Sequence, residues 1–180
     1  MGFNGKSFII LHQFKLLFLL FMIEIVNYSD ALAPYFDSIN REWIDAMFYV
    51  EPIDNDVISQ PKAHIINKGG HIWFAKHPSY GVAGTCALMR KEDGVFELTK
   101  MGVVSQARGE KIGECLLKHV LEQAPTIAHK TLFLLTNKAC ESAIHLYEKN
   151  GFVHCSDTME KYGKSYERCD VAMRYKPSML

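Results

Sequence analysis

Residues 103–113 read VVSQARGEKIG, and this stretch organises the prediction for the whole chain. An apolar strand enters it, an Arg-Gly loop follows, and an amphipathic helix begins directly afterwards. The first N–H groups of a helix have no intrahelical partner, and the helix dipole favours anions there. Gly109 and Gly113 leave room for phosphate oxygens, and Arg108 adds positive charge. The pattern indicates a diphosphate site; a plain strand–turn–helix whose glycines serve packing is the alternative.

Strands and helices alternate on both sides of this stretch, as in an α/β protein. The apolar run TLFLLT at residues 131–136 is typical of a buried strand. Strands are predicted at residues 23–26, 64–66, 71–76, 81–89, 95–104, 131–136, 152–155 and 169–175. Helices are predicted at residues 33–48, 54–61, 110–123 and 140–150. Pro61 and Pro125 are expected to end helices, and Gly151 is expected to cap the last one.

Three segments together resemble a known family: ELTKMGV (97–103), QARGEKIG (106–113) and NKACESAIHLYEKNGF (137–152). The second is similar to the Gln/Arg-x-x-Gly-x-Gly/Ala acetyl-CoA signature of the GNAT superfamily of N-acetyltransferases. The third is similar to its Asn…Ala…Leu-Tyr-Glu-x-x-Gly-Phe signature, in the usual order and distance. The resemblance implies an α/β (α+β) fold with a mixed central sheet flanked by helices. It also implies acetyl-CoA as co-substrate and a primary amine, on a small molecule or a protein, as acceptor.

The resemblance assigns cofactor contacts to individual residues. Met101 and Val103 would bind the pantetheine arm through the main chain, and Asn137 would bind it through its side-chain amide. Ala143 would let the cofactor approach closely, and Tyr147 lies four residues later on the same helix face.

The pyrophosphate contacts would come from main-chain N–H groups. The residues implied are Arg108, Gly109, Lys111, Ile112 and Gly113. Lys111 departs from the family pattern, because the family usually has Gly or Ala there. Its side chain is expected either to point outward or to add a cation beside the phosphates.

Two side chains are candidates for acid–base chemistry. The Tyr147 hydroxyl suits protonation of the departing thiolate, and Glu97 matches a base position in some family members. Tyr147 as an ordinary core aromatic, and Glu97 as an exposed strand carboxylate or a structural ion pair, are the alternatives. A non-catalytic acetyl-CoA-binding regulatory module is the alternative function.

The acceptor region is less well defined. Trp43, Phe48 and Tyr49 are expected either to line an acceptor pocket or to belong to the core. The acidic residues Glu51, Asp54 and Asp56 could attract a cationic amine, but a solvated loop is the favoured interpretation.

Composition excludes several classes of partner. Twenty Lys and Arg residues balance twenty Asp and Glu residues, so no net charge favours nucleic acid or an anionic membrane. The five cysteines are odd in number and scattered, and no Cys/His pattern fits a metal site. Free thiols are expected, which favours a cytoplasmic protein without metal. The family resemblance adds a possible homodimer.

The acetyltransferase domain is predicted to cover residues 22–178. Residues 1–21 precede it and end in part of a strongly apolar run, FKLLFLLFMI, at residues 14–23. This run is too short to span a bilayer as a helix. An upstream extension before a natural start at Met22, a signal or membrane-contacting segment, and a genuine extra helix remain the three interpretations.

Overall fold

A mixed β-sheet forms the centre of the protein. The computed structural model describes residues 23–128 and 130–176. Within these residues the sheet has seven strands, in the spatial order β1-β2-β3-β4-β5-β7-β6. Their bounds are β1 Glu24–Asn27, β2 His71–His77, β3 Gly81–Glu92, β4 Val95–Val103, β5 Thr131–Thr136, β6 Phe152–His154 and β7 Val171–Tyr175. The predicted α/β fold with a mixed sheet is confirmed.

Strands β4 and β5 form the parallel pair of the sheet, and their pairing is short. It runs from Val95 opposite Thr131 to Leu98 opposite Leu134 and stops there. All other neighbouring strands pair antiparallel. Since β4 continues to Val103, the two strands part beyond Leu98, and the sheet is open at this point.

A β-bulge in β4 lies where the two strands separate. Thr85 pairs with Gly102 and Ala87 pairs with Thr99, so β4 has one more residue than β3 in this interval. Lys100, within the bulge, has a φ of 52°. Such a bulge bends its strand and redirects the side chains that follow.

Six α-helices connect the strands within the described residues. Their bounds are α1 Ala33–Met47, α2 Pro52–Ser59, α3 Pro61–His64, α4 Ile112–Ile127, α5 Glu141–Lys149 and α6 Ser156–Tyr162. Helix α4 packs on β2, β3 and β4, and its buried side chains join those of Trp73, Leu98 and Tyr147 in one core cluster. Helices α1 and α2 cover the opposite face, where Phe36, Ile58 and Phe74 form a second cluster.

Most predicted elements are found, but several bounds are wrong. Residues 64–66 are not a strand: α3 ends at His64, and a 3₁₀ turn follows over Ile66–Lys68. Pro61 does not end a helix but begins α3, since a proline at the first helical position loses no hydrogen bond.

The helix predicted at residues 110–123 extends further, to Ile127, with Pro125 inside it. The helix continues because the Ala128 N–H donates to the Ala124 carbonyl oxygen at 2.8 Å. Gly151 caps α5 as predicted, with a φ of 90°. Helix α6 was not predicted. Residues 1–22 and 177–180 lie outside the described residues, so the domain limits of 22–178 stay a prediction.

Candidate active site

A cavity of about 100 Å³ occupies the gap between β4 and β5. Leu98, Ala143 and Tyr147 line it from the side of the sheet that carries α4. Trp43 of α1 and Arg168 line it from elsewhere in the fold. The opening in the sheet therefore brings residues of the α1 side and the α4 side to one cavity.

A surface groove continues from this cavity to the start of α4. It consists of two adjoining clefts of about 470 and 500 Å³. The first cleft shares Met101 and Tyr147 with the cavity, and the two clefts share Val103, Arg108 and Gly113. The cavity and the groove thus form one continuous, elongated site.

The far end of the groove carries features that favour an anion. Helix α4 begins there at Ile112, so its first N–H groups are free of intrahelical partners. Three cationic side chains, Arg108, Lys111 and Lys149, line the same cleft. Lys149 also lies 3.4 Å from the Glu114 carboxylate, which keeps part of its charge paired. A diphosphate would meet both the helix dipole and these cations.

The backbone conformation at Lys111 is one that glycine adopts more readily than lysine. Lys111 immediately precedes α4 and has a φ of 59°, in the left-handed region. Gly109 also has a positive φ, 91°, and a Cβ there would meet nothing within 4 Å. Both positions therefore favour glycine for conformational reasons, and a lysine adopts this conformation at a cost of about 1–2 kcal/mol. The Lys111 side chain is exposed and lies along the groove.

All the predicted cofactor residues lie along the cavity and the groove. They are Met101, Val103, Arg108, Gly109, Lys111, Ile112, Gly113, Asn137, Ala143 and Tyr147. The Asn137 amide has structural partners: it donates to the Arg168 carbonyl oxygen at 2.6 Å, and its own oxygen accepts from the Ala139 N–H at 2.8 Å. One N–H of that amide is left for a ligand.

The Tyr147 side chain is buried at the junction of cavity and groove. Its ring packs against Phe152, with 5.8 Å between the ring centroids. Its hydroxyl lies 3.9 Å from the Met101 sulfur, a weak acceptor. Burial raises the pKa of Tyr147, so the phenol keeps its proton at neutral pH. A protonated hydroxyl with no strong acceptor is available to a ligand in the cavity.

Glu97 has a different environment from Tyr147. It precedes Leu98 on β4, so its side chain points to the face opposite α4. It is only 1% exposed, and its carboxylate lies 3.0 Å from the Lys91 ammonium. Among the described residues, Glu97 is absent from the lining of the cavity and of the groove.

A buried cluster of four charges was missed by the sequence analysis. Lys100 and Arg168 line the cavity, and Glu51 and Asp54 pair with them. The Lys100 ammonium lies 2.8 Å from Asp54, and the Arg168 guanidinium bonds both carboxylates. Glu51 and Asp54 are 3% and 0% exposed, so the solvated-loop interpretation is wrong for them. Asp56 is exposed, but it lies on helix α2 and not in a loop.

Signals for part of this cluster exist in the sequence. Lys100 interrupts the apolar strand VFELTKMGV, and a lysine in a central strand needs a buried partner. No local pattern identifies that partner, because Asp54 and Arg168 are 46 and 68 residues away. Trp43 and Phe48 line the cavity, in line with the pocket interpretation. Tyr49 does neither: it is absent from the cavity lining, and it is exposed and donates to Glu167.

The comparisons with known proteins agree with this geometry. A family model described as an acetyltransferase (GNAT) domain matches residues 68–154. Residues 68–154 thus carry a GNAT acetyltransferase domain. The amino-acid acetyltransferase of Ralstonia nicotianae is 29% identical over 109 residues, which are 59% of this chain and 23% of that protein. The uncharacterised N-acetyltransferase YjgM of Escherichia coli is 29% identical over 61% of this chain and 66% of its own. The chain therefore spans less than two thirds of either relative.

Solved GNAT structures share the fold. An acetyltransferase of Staphylococcus aureus superimposes with a TM-score of 0.75 at 22% identity, over 86% of this chain and 98% of that one. The PaiA N-acetyltransferase of Thermoplasma acidophilum, in complex with coenzyme A, gives 0.64 at 18% identity, over 87% and 99%. GNAT proteins of this fold thus include one that holds coenzyme A.

Membrane-spanning helices and metal clusters are both absent from the described residues. No helix there has the length and apolar character needed to cross a bilayer. No cluster of three or more His, Cys, Asp or Glu side chains in the same residues is arranged to hold a metal ion.

Proposed function

We propose that this GNAT protein is an N-acetyltransferase that passes the acetyl group of acetyl-CoA directly to a primary amine. The observation that carries the proposal is the cavity between β4 and β5, which joins the Tyr147 hydroxyl to an anion-binding groove. The acceptor is a primary amine on a small molecule or on a protein.

The groove fits coenzyme A along its length. The free N–H groups at the start of α4, with Arg108 and Lys111, would hold the diphosphate. Main-chain groups of Met101 and Val103 lie along the next part of the groove, where a pantetheine arm would run. Met101 and Tyr147, which line both the cleft and the cavity, mark where the thioester would lie.

The chemistry needs one proton removed and one supplied. The neutral amine attacks the thioester carbonyl carbon, a C–N bond forms, and the C–S bond breaks. The thiolate that leaves takes a proton from a nearby donor, and the Tyr147 hydroxyl, which lines the cavity, would supply it. Main-chain N–H groups near Met101 would polarise the carbonyl oxygen.

Glu97 remains the proposed base. It lies outside the cavity lining and pairs with Lys91, so a proton from the amine would reach it only through water. The five cysteines are free thiols, which supports a reducing, cytoplasmic location.

The proposal is tested on the full chain in two steps. Calorimetry with coenzyme A and acetyl-CoA should show binding of both. A panel of amines with acetyl-CoA should release free thiol with at least one of them. Absence of binding would refute the cofactor assignment. Binding without turnover of any amine would instead favour a regulatory module that only holds acetyl-CoA.

A further inference from the structure

The charges that face the cavity are all positive. Lys100 and Arg168 are the charged side chains in its lining, and no carboxylate of the described residues lines it. Glu51 and Asp54, which neutralise them, are buried behind them. An acceptor inside the cavity would therefore meet N–H donors of cationic groups and no acidic group.

The Arg168 guanidinium is held rigidly. It donates to Glu51 Oε1 at 2.9 Å and to both carboxylate oxygens of Asp54. It also lies near the rings of Phe48 and Tyr166, 5.8 and 5.3 Å from their centroids. Little side-chain entropy is left for a ligand to remove, which favours tight, specific binding.

Donors remain on both cations. The contacts with Glu51 and Asp54 use three of the five guanidinium N–H groups, and Nε has no acceptor among the described residues. Arg168 is 14% exposed, whereas its two carboxylate partners are at most 4% exposed. The Lys100 ammonium bonds Asp54 and lies 3.5 Å from the Tyr166 hydroxyl. Arg168 can therefore contact a further anion in the cavity directly, whereas the Lys100 side chain, which is 2% exposed, adds mainly its charge.

We propose that Arg168, with Lys100 beside it, forms a subsite for a carboxylate, and that the acceptor is an amine that carries one. This inference rests on the proposed acetyl transfer and names its acceptor class. A free carboxylate would gain charge-assisted hydrogen bonds from Arg168 and electrostatic attraction from Lys100. A polyamine would bring further positive charge to a cavity with no acid in its lining, so it would be excluded.

The first experiment compares matched acceptors on the wild-type protein. Alanine and glutamate are tested against alaninamide, glutamic acid diamide and spermidine, with acetyl-CoA and thiol release as readout. We expect the free acids to have a kcat/KM at least about 10-fold above that of their amides, the size of one charged hydrogen bond. The amino group of an amino-acid amide is less basic than that of the free acid, so it loses its proton more readily. Reactivity alone would therefore favour the amides over the free acids.

The second experiment uses Arg168→Lys, which keeps the charge and removes the planar fork. The KM for the free acid should rise about 10- to 100-fold, while the KM for the amide and the Kd for coenzyme A stay unchanged. Arg90→Lys is the matched control, because Arg90 is an exposed arginine that lies away from the cavity. Lys100→Met is the second variant, should Arg168→Lys fail to fold.

The outcomes separate this inference from the proposed function. Equal turnover of acids and amides, or a preference for spermidine, would overturn the carboxylate subsite and leave acetyl transfer intact. If no amine is turned over, the same acceptors are titrated into protein saturated with coenzyme A. Binding of the acid and not of the amide would then support the subsite, and equal or absent binding would overturn it.

Discussion

The Tyr147 hydroxyl lies 3.9 Å from the sulfur of Met101, at the end of β4 that parts from β5. Thioether sulfur is a weak acceptor, so this buried phenol has no strong partner in the fold. Tyr147→Phe should therefore leave the melting temperature and the Kd for coenzyme A nearly unchanged. If the hydroxyl protonates the thiolate, turnover should fall by about 10²-fold or more. Thiol release and calorimetry on both proteins measure this.

Tyr162→Phe is the matched control for this variant. Tyr162 lies on α6, stacks on Phe133, and bonds Glu92 through its hydroxyl at the surface. The loss of the Tyr162 hydroxyl should not affect turnover. Equal rates for wild type and Tyr147→Phe would assign Tyr147 to packing alone.

The pairing of Glu97 with Lys91 at 3.0 Å makes the role of this carboxylate testable. If Glu97 accepts the amine proton through water, Glu97→Gln should lower turnover most at neutral pH. At high pH the amine loses its proton unaided, so the defect should shrink. Lys91→Met breaks the same ion pair but keeps the carboxylate, so it should lose less turnover at neutral pH than Glu97→Gln. If Glu97→Gln retains the wild-type pH profile, the ion pair is structural.

The sequence predicts well those parts of the site whose conformation depends only on residues close together in the chain. Residues 131–136 form β5 as predicted, because an apolar run bounded by polar residues has few other stable conformations. The turn before α4 is also local: Gly109 and the helix start appear together within a few residues. The positions of the residues that are proposed to hold the diphosphate can therefore be predicted without a structure.

The acceptor side depends instead on contacts between distant segments. Asp54 meets Lys100 and Arg168 only when α2, the bulge in β4 and the loop before β7 come together. Asp54 and Arg168 alone look like ordinary surface charges, and only Lys100, within a central strand, signals a buried partner. The strand prediction for residues 64–66 is wrong for a related reason. Ile65 is fully buried in the second core cluster, yet it reaches that position from a helical turn instead of a strand.

Lys111→Gly should stabilise the protein. The position has a φ of 59°, and a glycine adopts this conformation without the steric cost that a lysine incurs. We expect an increase in the free energy of unfolding of about 1 kcal/mol, measured by urea denaturation. Lys111→Ala removes the same charge but keeps the Cβ, and it should give no such gain. A gain from alanine equal to that from glycine would show that charge, and not backbone conformation, sets the effect.

Arg108→Glu should weaken the binding of coenzyme A. Arg108 is exposed at the anion end of the groove, so its contribution is electrostatic and screened by salt. The ratio of variant to wild-type Kd should therefore fall as the salt concentration rises from about 0.01 to 1 M. Lys68→Glu is the control, because it changes the net charge equally at an exposed site outside the groove. An equal loss of affinity in both variants would refute a local role for Arg108.

The last prediction concerns acid stability and the buried Asp54. Burial alone would raise the pKa of Asp54, but the Arg168 guanidinium and the Lys100 ammonium lower it below its ordinary value. The folded protein thus binds this proton less readily than the unfolded chain, in which aspartate has a pKa of about 3.9. The stabilisation from Asp54 is therefore complete above about pH 4 and is lost as the pH falls through the lower, folded pKa. Asp54→Asn should cost about 3–5 kcal/mol at neutral pH, because it leaves buried cations short of a partner. Urea denaturation should show this difference from wild type shrinking in acid, while the exposed Asp56→Asn stays close to wild type throughout. A difference that is constant with pH would show that the Asp54 carboxylate is not held in its charged form by these two cations.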